Sequence, residues 1–159
     1  MKLRILLIAG LLLGLTPCTW AQGQIEDPVI KAAIDKGVAY LQTRRDASDG
    51  AYRGEWAGED YRSGETALTL LALLKAGAKP GSPQINQGFA WLMAQPHRRI
   101  YCVSVAVLAL EARYTPENTA SIKDDKPLKS QIRKRFMKKA PPAVRQWLAG
   151  AVAYLSQHQ

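Results

Sequence analysis

The stretch SGETALTLLALLKAG, residues Ser63 to Gly77, decides how this chain folds. Apolar residues occupy nearly every side of it, and a helix with that pattern is normally buried. Ser63 is placed to cap its start, and Gly77 suits the left-handed position that ends a helix, shortly before Pro80. The stretch is shorter than a membrane span. We therefore predict an inner helix of a soluble, all-helical protein.

Residues 1–21 have the pattern of a secretory signal peptide. A lysine and an arginine precede the apolar run ILLIAGLLLGL, and the polar stretch after it ends at the small residue Ala21. The run is too short for a membrane anchor, which needs about 20 apolar residues. We predict cleavage after Ala21 and a secreted or periplasmic protein. Acylation of Cys18 is the weaker alternative, because a proline precedes it instead of a small residue.

The cleaved chain would keep one cysteine, Cys102, and two histidines, His97 and His158. A single cysteine excludes an internal disulfide, and its apolar neighbours favour a buried, unreactive thiol. Zinc needs at least three converging ligands, and no glycine-rich phosphate loop is present in the sequence. The sequence therefore predicts neither a metal site nor a bound cofactor.

Basic charge is concentrated in one segment. Without residues 1–21 the chain has 20 basic and 13 acidic residues, and residues 123–139 hold eight of the basic ones and two of the acidic ones. We predict a basic helix over 127–139. Its charges form either a solvated outer face or a contact with an anionic membrane surface, and export argues against nucleic acid as a partner. The residues of that contact would be Lys129, Arg133, Lys134, Arg135, Lys138 and Lys139.

Amphipathic and apolar helices alternate along the chain. An amphipathic helix with one buried stripe is predicted over 27–44, beginning with a capping aspartate and a proline. After the Ser63–Gly77 helix come a second amphipathic helix over 84–95 and a second apolar helix over 100–113. A last amphipathic helix is predicted over 143–159. A helix pair repeated at about 50 residues is typical of stacked helical arrays.

Three motifs in these helices resemble the repeat of prenyltransferases and squalene cyclases. In that repeat an outer helix carries a small residue, an aromatic residue followed by Leu, and Gln, and the next loop begins with Gly-x-Trp. The partial matches are GVAYL at 37–41 with GAY at 50–52, GFAWL at 88–92 with Gln95, and AVAYLSQHQ at 151–159. Arg45 replaces the first Gln, and no Gly-x-Trp follows the second motif. The resemblance implies a terpenoid cyclase-like, partial α/α toroid of about two and a half outer–inner helix pairs over 27–159, with 123–139 as an insert.

The chemistry of that family is missing from this sequence. Cyclases of this kind protonate their substrate with an Asp-x-Asp-Asp motif, whose acid stays protonated in a low-dielectric pocket. The nearest pair here, Asp124-Asp125, lies beside two lysines in a charged connection, where carboxylates are ionised. Protein prenyltransferases hold zinc with Asp, Cys and His, but no carboxylate stands two residues before Cys102. We therefore predict a non-catalytic module.

A binding surface is the remaining candidate for a functional site. The resemblance implies that the ends of the inner helices face a central cavity, where Trp56, Tyr61, Glu65 and Tyr101 would line a binding surface. The alternative is that the aromatic side chains fill the core between repeats and that Glu65 only interacts with the helix dipole.

We expect an exported binding or scaffold module whose partner is a protein or a hydrophobic ligand. One alternative is the N-terminal part of a terpenoid-cyclase-like enzyme that acts on an isoprenoid and has its catalytic residues beyond Gln159. The other is a membrane-surface protein that binds through the basic helix. The third repeat stops after its first helix, which favours a fragment of a longer protein.

Overall fold

The computed structural model describes residues 27–53, 61–115, 136 and 138–158. They form five α-helices, which we number α1 (Pro28–Thr43), α2 (Arg62–Lys75), α3 (Pro83–Ala94), α4 (Ile100–Tyr114) and α5 (Pro142–Gln157). Within these ranges there is no β-strand, only an isolated antiparallel bridge between Arg45 and Tyr52. The prediction of an all-helical protein is confirmed. None of the five helices is long and apolar enough to cross a membrane.

The chain divides into two compact units, Met1–Ala33 and Ile34–Gln159. The described part of the first unit is the beginning of α1. There Asp27 Oδ1 accepts a 2.8 Å hydrogen bond from the Val29 N–H, and Pro28 is the first helical residue. The predicted start of this helix is therefore confirmed. All the other described residues belong to the second unit, whereas the predicted signal peptide lies outside the described residues.

At the two ends of α2, the predicted serine cap is absent and the predicted glycine stop is present. The helix begins at Arg62, and Ser63 lies inside it without capping the N-terminus, so the predicted Ser63 cap is wrong. At the other end Gly77 has a φ of +92°, and the Ala78 N–H donates a 2.9 Å hydrogen bond to the Leu73 carbonyl. This left-handed glycine confirms the predicted stop.

Helices α2 and α4 lie side by side and run in the same direction. At one end, Gly64 of α2 lies so close to α4 that an added Cβ would stand 2.8 Å from Cys102 Sγ. At the other end, Leu74 of α2 and Tyr114 of α4 line one cleft. The two helices are parallel, since their N-terminal ends meet and so do their C-terminal ends. Their contact buries Cys102 as a free thiol, as predicted.

Helix α3 packs against α2, and α5 packs against α4. The first pair is in close contact at Gly88, where an added Cβ would lie 2.8 Å from Leu70 Cδ2. In α5, Val144 and Ala151 are the buried residues. The largest fully buried aliphatic and aromatic side chains of the core are Tyr52, Phe89, Leu70, Ile85, Leu92 and Leu110.

Helix α1 differs from its prediction, because none of its residues is buried. Val38 and Leu41 are half-buried against the core, while Ile34 and Tyr40 are exposed. At Gly37 nothing lies within 4 Å of the position that a Cβ would take. The predicted buried stripe is therefore wrong. Helical periodicity marks an apolar face, but it does not supply the neighbour that buries the face.

Residues 44–53 form a tight turn that docks on α3. Arg45 donates a hydrogen bond to Gln87 Oε1. Gly50 has a φ of +81°, and an added Cβ there would lie 2.9 Å from Gln87 Cβ. The turn therefore needs glycine at this position for two reasons, its backbone conformation and its close approach to α3.

Two glycine variants should separate these two reasons. Gly77 shares the positive φ but has open space around its Cβ position. We expect Gly50→Ala to cost about 1–2 kcal/mol more than Gly77→Ala, because only the first also overpacks a neighbouring helix. Urea unfolding of both variants measures the difference. Equal losses would mean that the turn does not contact α3 in the way described.

Candidate binding surface

Arg62, the first residue of α2, links the turn to α3. Its Nη2 lies 2.7 Å from Asp49 Oδ2 and 3.5 Å from Asp46 Oδ2, and its guanidinium carbon lies 5.0 Å from the centre of the Trp91 ring. Hydrogen bonds from the Ser48 side chain and backbone hold the pKa of Asp46 below its usual value, and the charge of Arg62 acts in the same direction. No local sequence pattern marks this cluster, because its ion pairs join residues 13 and 16 positions apart.

Five large apolar side chains are exposed along α2 and α4. Ile100 begins α4, and the other four form two pairs. They are Tyr61, at the α2 N-cap, and Leu68 in α2, and Tyr101 and Leu108 in α4, with exposed fractions of 43%, 48%, 54% and 51%. In each pair the two residues are seven positions apart, which is about two helical turns, so they lie on one face. We call these four side chains the open face. The prediction that the apolar helices are buried therefore fails on this side only, since each helix also has six buried residues.

The two rows of the open face adjoin the seam between α2 and α4. The Tyr101 ring carbon Cε1 would lie 3.2 Å from a Cβ on Gly64, so the α4 row begins directly against α2. Leu68 follows Gly64 by one turn on the same side of α2. Leu70 faces α3 instead, through its contact with Gly88. The open face therefore lies on the side of the helix pair that α3 does not cover.

The sequence-predicted pocket residues lie near the N-terminal ends of α2 and α4. Tyr61 comes one turn before Glu65, which is half-buried in the first turn of α2. Tyr101 reaches Gly64, the neighbour of Glu65 in sequence. Trp56 lies outside the described residues. The structure adds Arg99, whose guanidinium carbon lies 5.4 Å from the centre of the Tyr61 ring and which the sequence analysis did not single out.

The predicted basic surface falls largely outside the described residues. Lys129, Arg133, Lys134 and Arg135 are not described, whereas Lys138 and Lys139 are helical and exposed. Phe136 is half-buried, and its ring centre lies 6.1 Å from that of Tyr114. Contact of this segment with an anionic membrane surface stays a prediction. Across the described ranges, no three His, Cys, Asp or Glu side chains come together in a way that could hold a metal ion.

His97 connects the α3–α4 link to α5. Its ring centre lies 4.7 Å from that of Trp147, in an edge-to-face arrangement, and 6.2 Å from that of Tyr154. Gly150 leaves room for the imidazole, since an added Cβ would lie 3.1 Å from its Cε1 atom. Burial lowers the pKa of His97. The neutral imidazole is therefore the form that this contact favours.

The free energy of unfolding should decrease as the pH falls below about 6.5, the ordinary pKa of an unfolded histidine. Above that pH both states hold neutral His97, so its contribution is fully present. Between the unfolded pKa and the lower folded pKa only the unfolded state takes up the proton, and stability is lost. Urea unfolding on both sides of this range should show a smaller loss for His97→Phe than for the parent. An unchanged loss in His97→Phe would contradict the assignment.

Comparison with protein-family models, with curated proteins and with solved structures finds no match to this chain. The likeness to the squalene-cyclase and prenyltransferase repeat therefore rests on the sequence motifs alone and stays a prediction.

Proposed function

We propose that this chain is an exported, non-catalytic binding module, built as an incomplete α/α toroid, whose open face binds an apolar helix of a partner protein. The observation that carries the proposal is the open face, four large apolar side chains that are each about half exposed on helices packed on their other sides. Exposed apolar residues that are contiguous, unlike scattered ones, mark interaction sites.

The packing of the described helices supports the toroid. In an outer–inner arrangement, neighbouring inner helices are parallel and each outer helix packs behind an inner one. Helices α2 and α4 are parallel neighbours, with α3 packed on α2 and α5 packed on α4. Gly88, the small residue of the second motif, lies in close contact with Leu70 of α2. The motif residue thus has a packing role of the kind that the repeat implies.

The shape of the open face favours a helix over a small molecule. Small-molecule sites enclose most of the ligand surface, whereas these four side chains remain about half exposed on an open surface. Two parallel rows beside a helix–helix seam form a groove that accepts the apolar row of a third helix. Tyr61 and Tyr101 suit such an interface, because their rings are apolar and their hydroxyls can stay in water.

The sequence supports binding over catalysis. It contains no Asp-x-Asp-Asp motif, and its single cysteine outside residues 1–21 lacks the neighbouring carboxylate of the zinc-dependent prenyltransferases. A cyclase-like reaction would therefore need residues from outside this sequence. An apolar surface needs none of these groups to bind a helix.

Site-specific crosslinking in the producing cells tests the proposal. Benzoylphenylalanine in place of Leu68 should crosslink to a single partner protein, whereas the same residue in place of Ala90, which is exposed on α3, should not. The purified partner should then bind the double variant Leu68→Asp/Leu108→Asp with an affinity at least about tenfold lower, because each carboxylate would be buried against an apolar helix. Ala90→Asp is the matched control. Equal crosslinking at both positions, or unchanged binding by the double variant, would count against the proposal.

A further inference from the structure

A cleft of about 430 Å³ lies between the C-terminal ends of α2 and α4. This volume is in the range of small-molecule sites. The cleft is at the opposite end of the helix pair from Tyr61 and Tyr101, so it does not depend on the proposed role of the open face. Part of its wall is apolar and is formed by Leu74, Ala78, Ala112 and Tyr114.

Three basic side chains from three different segments line the same cleft. Lys79 belongs to the turn after α2, Arg113 to α4, and Lys139 to the residues just before α5. No acidic residue is among the described residues that line it. The ion pairs of the described chain involve neither lysine. Among the described residues around the cleft, none neutralises the charge of the two lysines.

Arg113 is held in place by neutral neighbours. Its guanidinium carbon lies 4.6 Å from the centre of the Phe89 ring and 5.4 Å from that of Tyr114, and it donates a hydrogen bond to Asn86 Oδ1. None of these partners carries a negative charge, so none of them neutralises the positive charge of the arginine. A guanidinium that is already ordered loses little freedom when it binds an anion.

Two carbonyl groups near these cations are already bonded to the backbone. Basic residues near a helix C-terminus often interact only with its dipole and its free carbonyls. Here the Leu73 carbonyl accepts the Ala78 N–H, and the Glu111 carbonyl accepts the Thr115 N–H, each at 2.9 Å. These carbonyl groups therefore have backbone partners and do not need the side-chain cations.

The Thr115 hydroxyl lacks a hydrogen-bond partner that a ligand oxygen could provide. This residue lines the cleft, and its Oγ1 is shielded from water and has no hydrogen-bond partner among the described residues. Buried polar atoms nearly always have a partner. A ligand oxygen in the cleft would provide one.

We propose that this cleft binds a phosphate monoester that carries a short apolar group. A phosphate monoester has a charge of about −1.5 to −2 and three acceptor oxygens, which suits three cations and a hydroxyl better than the single charge of a carboxylate does. The apolar group would cover the wall around Leu74 and Ala112. A soluble phosphate ester and a lipid with a phosphate monoester head group share this chemistry.

Calorimetric titration with octyl phosphate, below its micelle concentration, tests the site on the full chain. We expect one-to-one binding that is about tenfold or more weaker in Lys79→Gln/Lys139→Gln, because two charged contacts are lost. Lys36→Gln/Lys75→Gln removes the same charge from exposed positions that do not line the cleft, and it should bind like the parent. Thr115→Val should weaken binding, whereas Thr115→Ser should retain it.

Three results would overturn the proposal. Equal losses in the two double variants would show a general charge effect instead of a site. If octyl glucoside bound as tightly as octyl phosphate, the cleft would not recognise the anion. If inorganic phosphate bound as tightly, the cleft would not recognise the apolar group. Binding to phosphatidylcholine vesicles with and without phosphatidic acid shows whether the ligand is a lipid or a soluble ester. Binding that needs phosphatidic acid and both lysines assigns the site to a lipid head group, and binding of octyl phosphate without vesicle binding assigns it to a soluble ester.

Discussion

Thr66→Val should lower the free energy of unfolding by about 2–4 kcal/mol, because it leaves two buried backbone groups without their hydroxyl partner. Thr66 Oγ1 accepts the Tyr52 N–H at 3.0 Å and donates to the Tyr52 carbonyl at 3.2 Å. Tyr52 is 1% exposed and Thr66 is fully buried, so water cannot replace these bonds. Valine keeps the shape of threonine, and the loss therefore reports on hydrogen bonding.

The backbone of the turn makes Tyr52 dependent on this one side chain. Residues on either side of Arg45 and Tyr52 make the turn's own hydrogen bonds: the Asp46 N–H donates to the Ala51 carbonyl, and the Arg53 N–H donates to the Arg44 carbonyl. The N–H and carbonyl of Tyr52 consequently point away from the turn, towards α2. Only a side chain that both donates and accepts can satisfy the two groups.

Two control variants isolate the hydroxyl of Thr66. Thr66→Ser keeps it and loses one methyl group, so we expect a cost of about 1 kcal/mol. Tyr52→Phe removes a phenol oxygen that is buried without a partner, so this variant should be no less stable than the parent. Urea unfolding compares all three. If the valine and serine variants lost the same stability, the hydroxyl would not be what attaches the turn to α2.

This attachment gives a physical meaning to one partial motif match. Gly50 and Tyr52 stand where the resemblance expects the Gly and Trp of Gly-x-Trp. Gly50 lies against Gln87 of α3, and Tyr52 is bonded to α2 through Thr66. The turn thus bridges α2, the predicted inner helix, and α3, the predicted outer helix. That role is the one a repeat would need at this point, and it supports the proposed toroid.

Helix positions were predictable because proline and glycine mark them locally. The predicted apolar helix over 100–113 corresponds to Ile100–Tyr114, and the amphipathic helix over 84–95 corresponds to Pro83–Ala94. Proline fixes φ at the start of α3, and Gly77 supplies the positive φ after α2. These effects need only neighbouring residues, so a single sequence contains the information.

Exposure was not predictable in the same way. Leu68 and Leu108 stand in runs that are apolar on all sides, and such runs do not show which side lacks a neighbour. The predicted site residues Tyr61 and Tyr101 lie near the same end of the helix pair, whereas a run that is apolar on all sides predicts burial for the two leucines that complete the open face. Pairs such as Arg62 with Asp49, or Arg113 over Phe89, depend on tertiary approach and leave no periodic signal.

Phe89→Ala should cost about 3–5 kcal/mol, because it opens a cavity in the core and removes the ring under Arg113. Phe89 is fully buried, and its neighbour Gly88 is already in close contact with Leu70, so α3 has little room to move inwards and fill the space. Phe89→Leu keeps most of the apolar volume and should cost less than about 1.5 kcal/mol. Comparing the two variants shows whether the loss of stability comes from the cavity or from any substitution at this position.

Urea unfolding and the octyl phosphate titration give independent measures of these variants. Both substitutions remove the aromatic face on which Arg113 rests, but only the alanine variant should lose about 3–5 kcal/mol of stability. A loss in Phe89→Ala no greater than in Phe89→Leu would mean that α3 contributes little by packing on α2. The paired-helix arrangement would then lack its main stabilising contact outside the α2–α4 seam, and the proposed repeat would have to be abandoned.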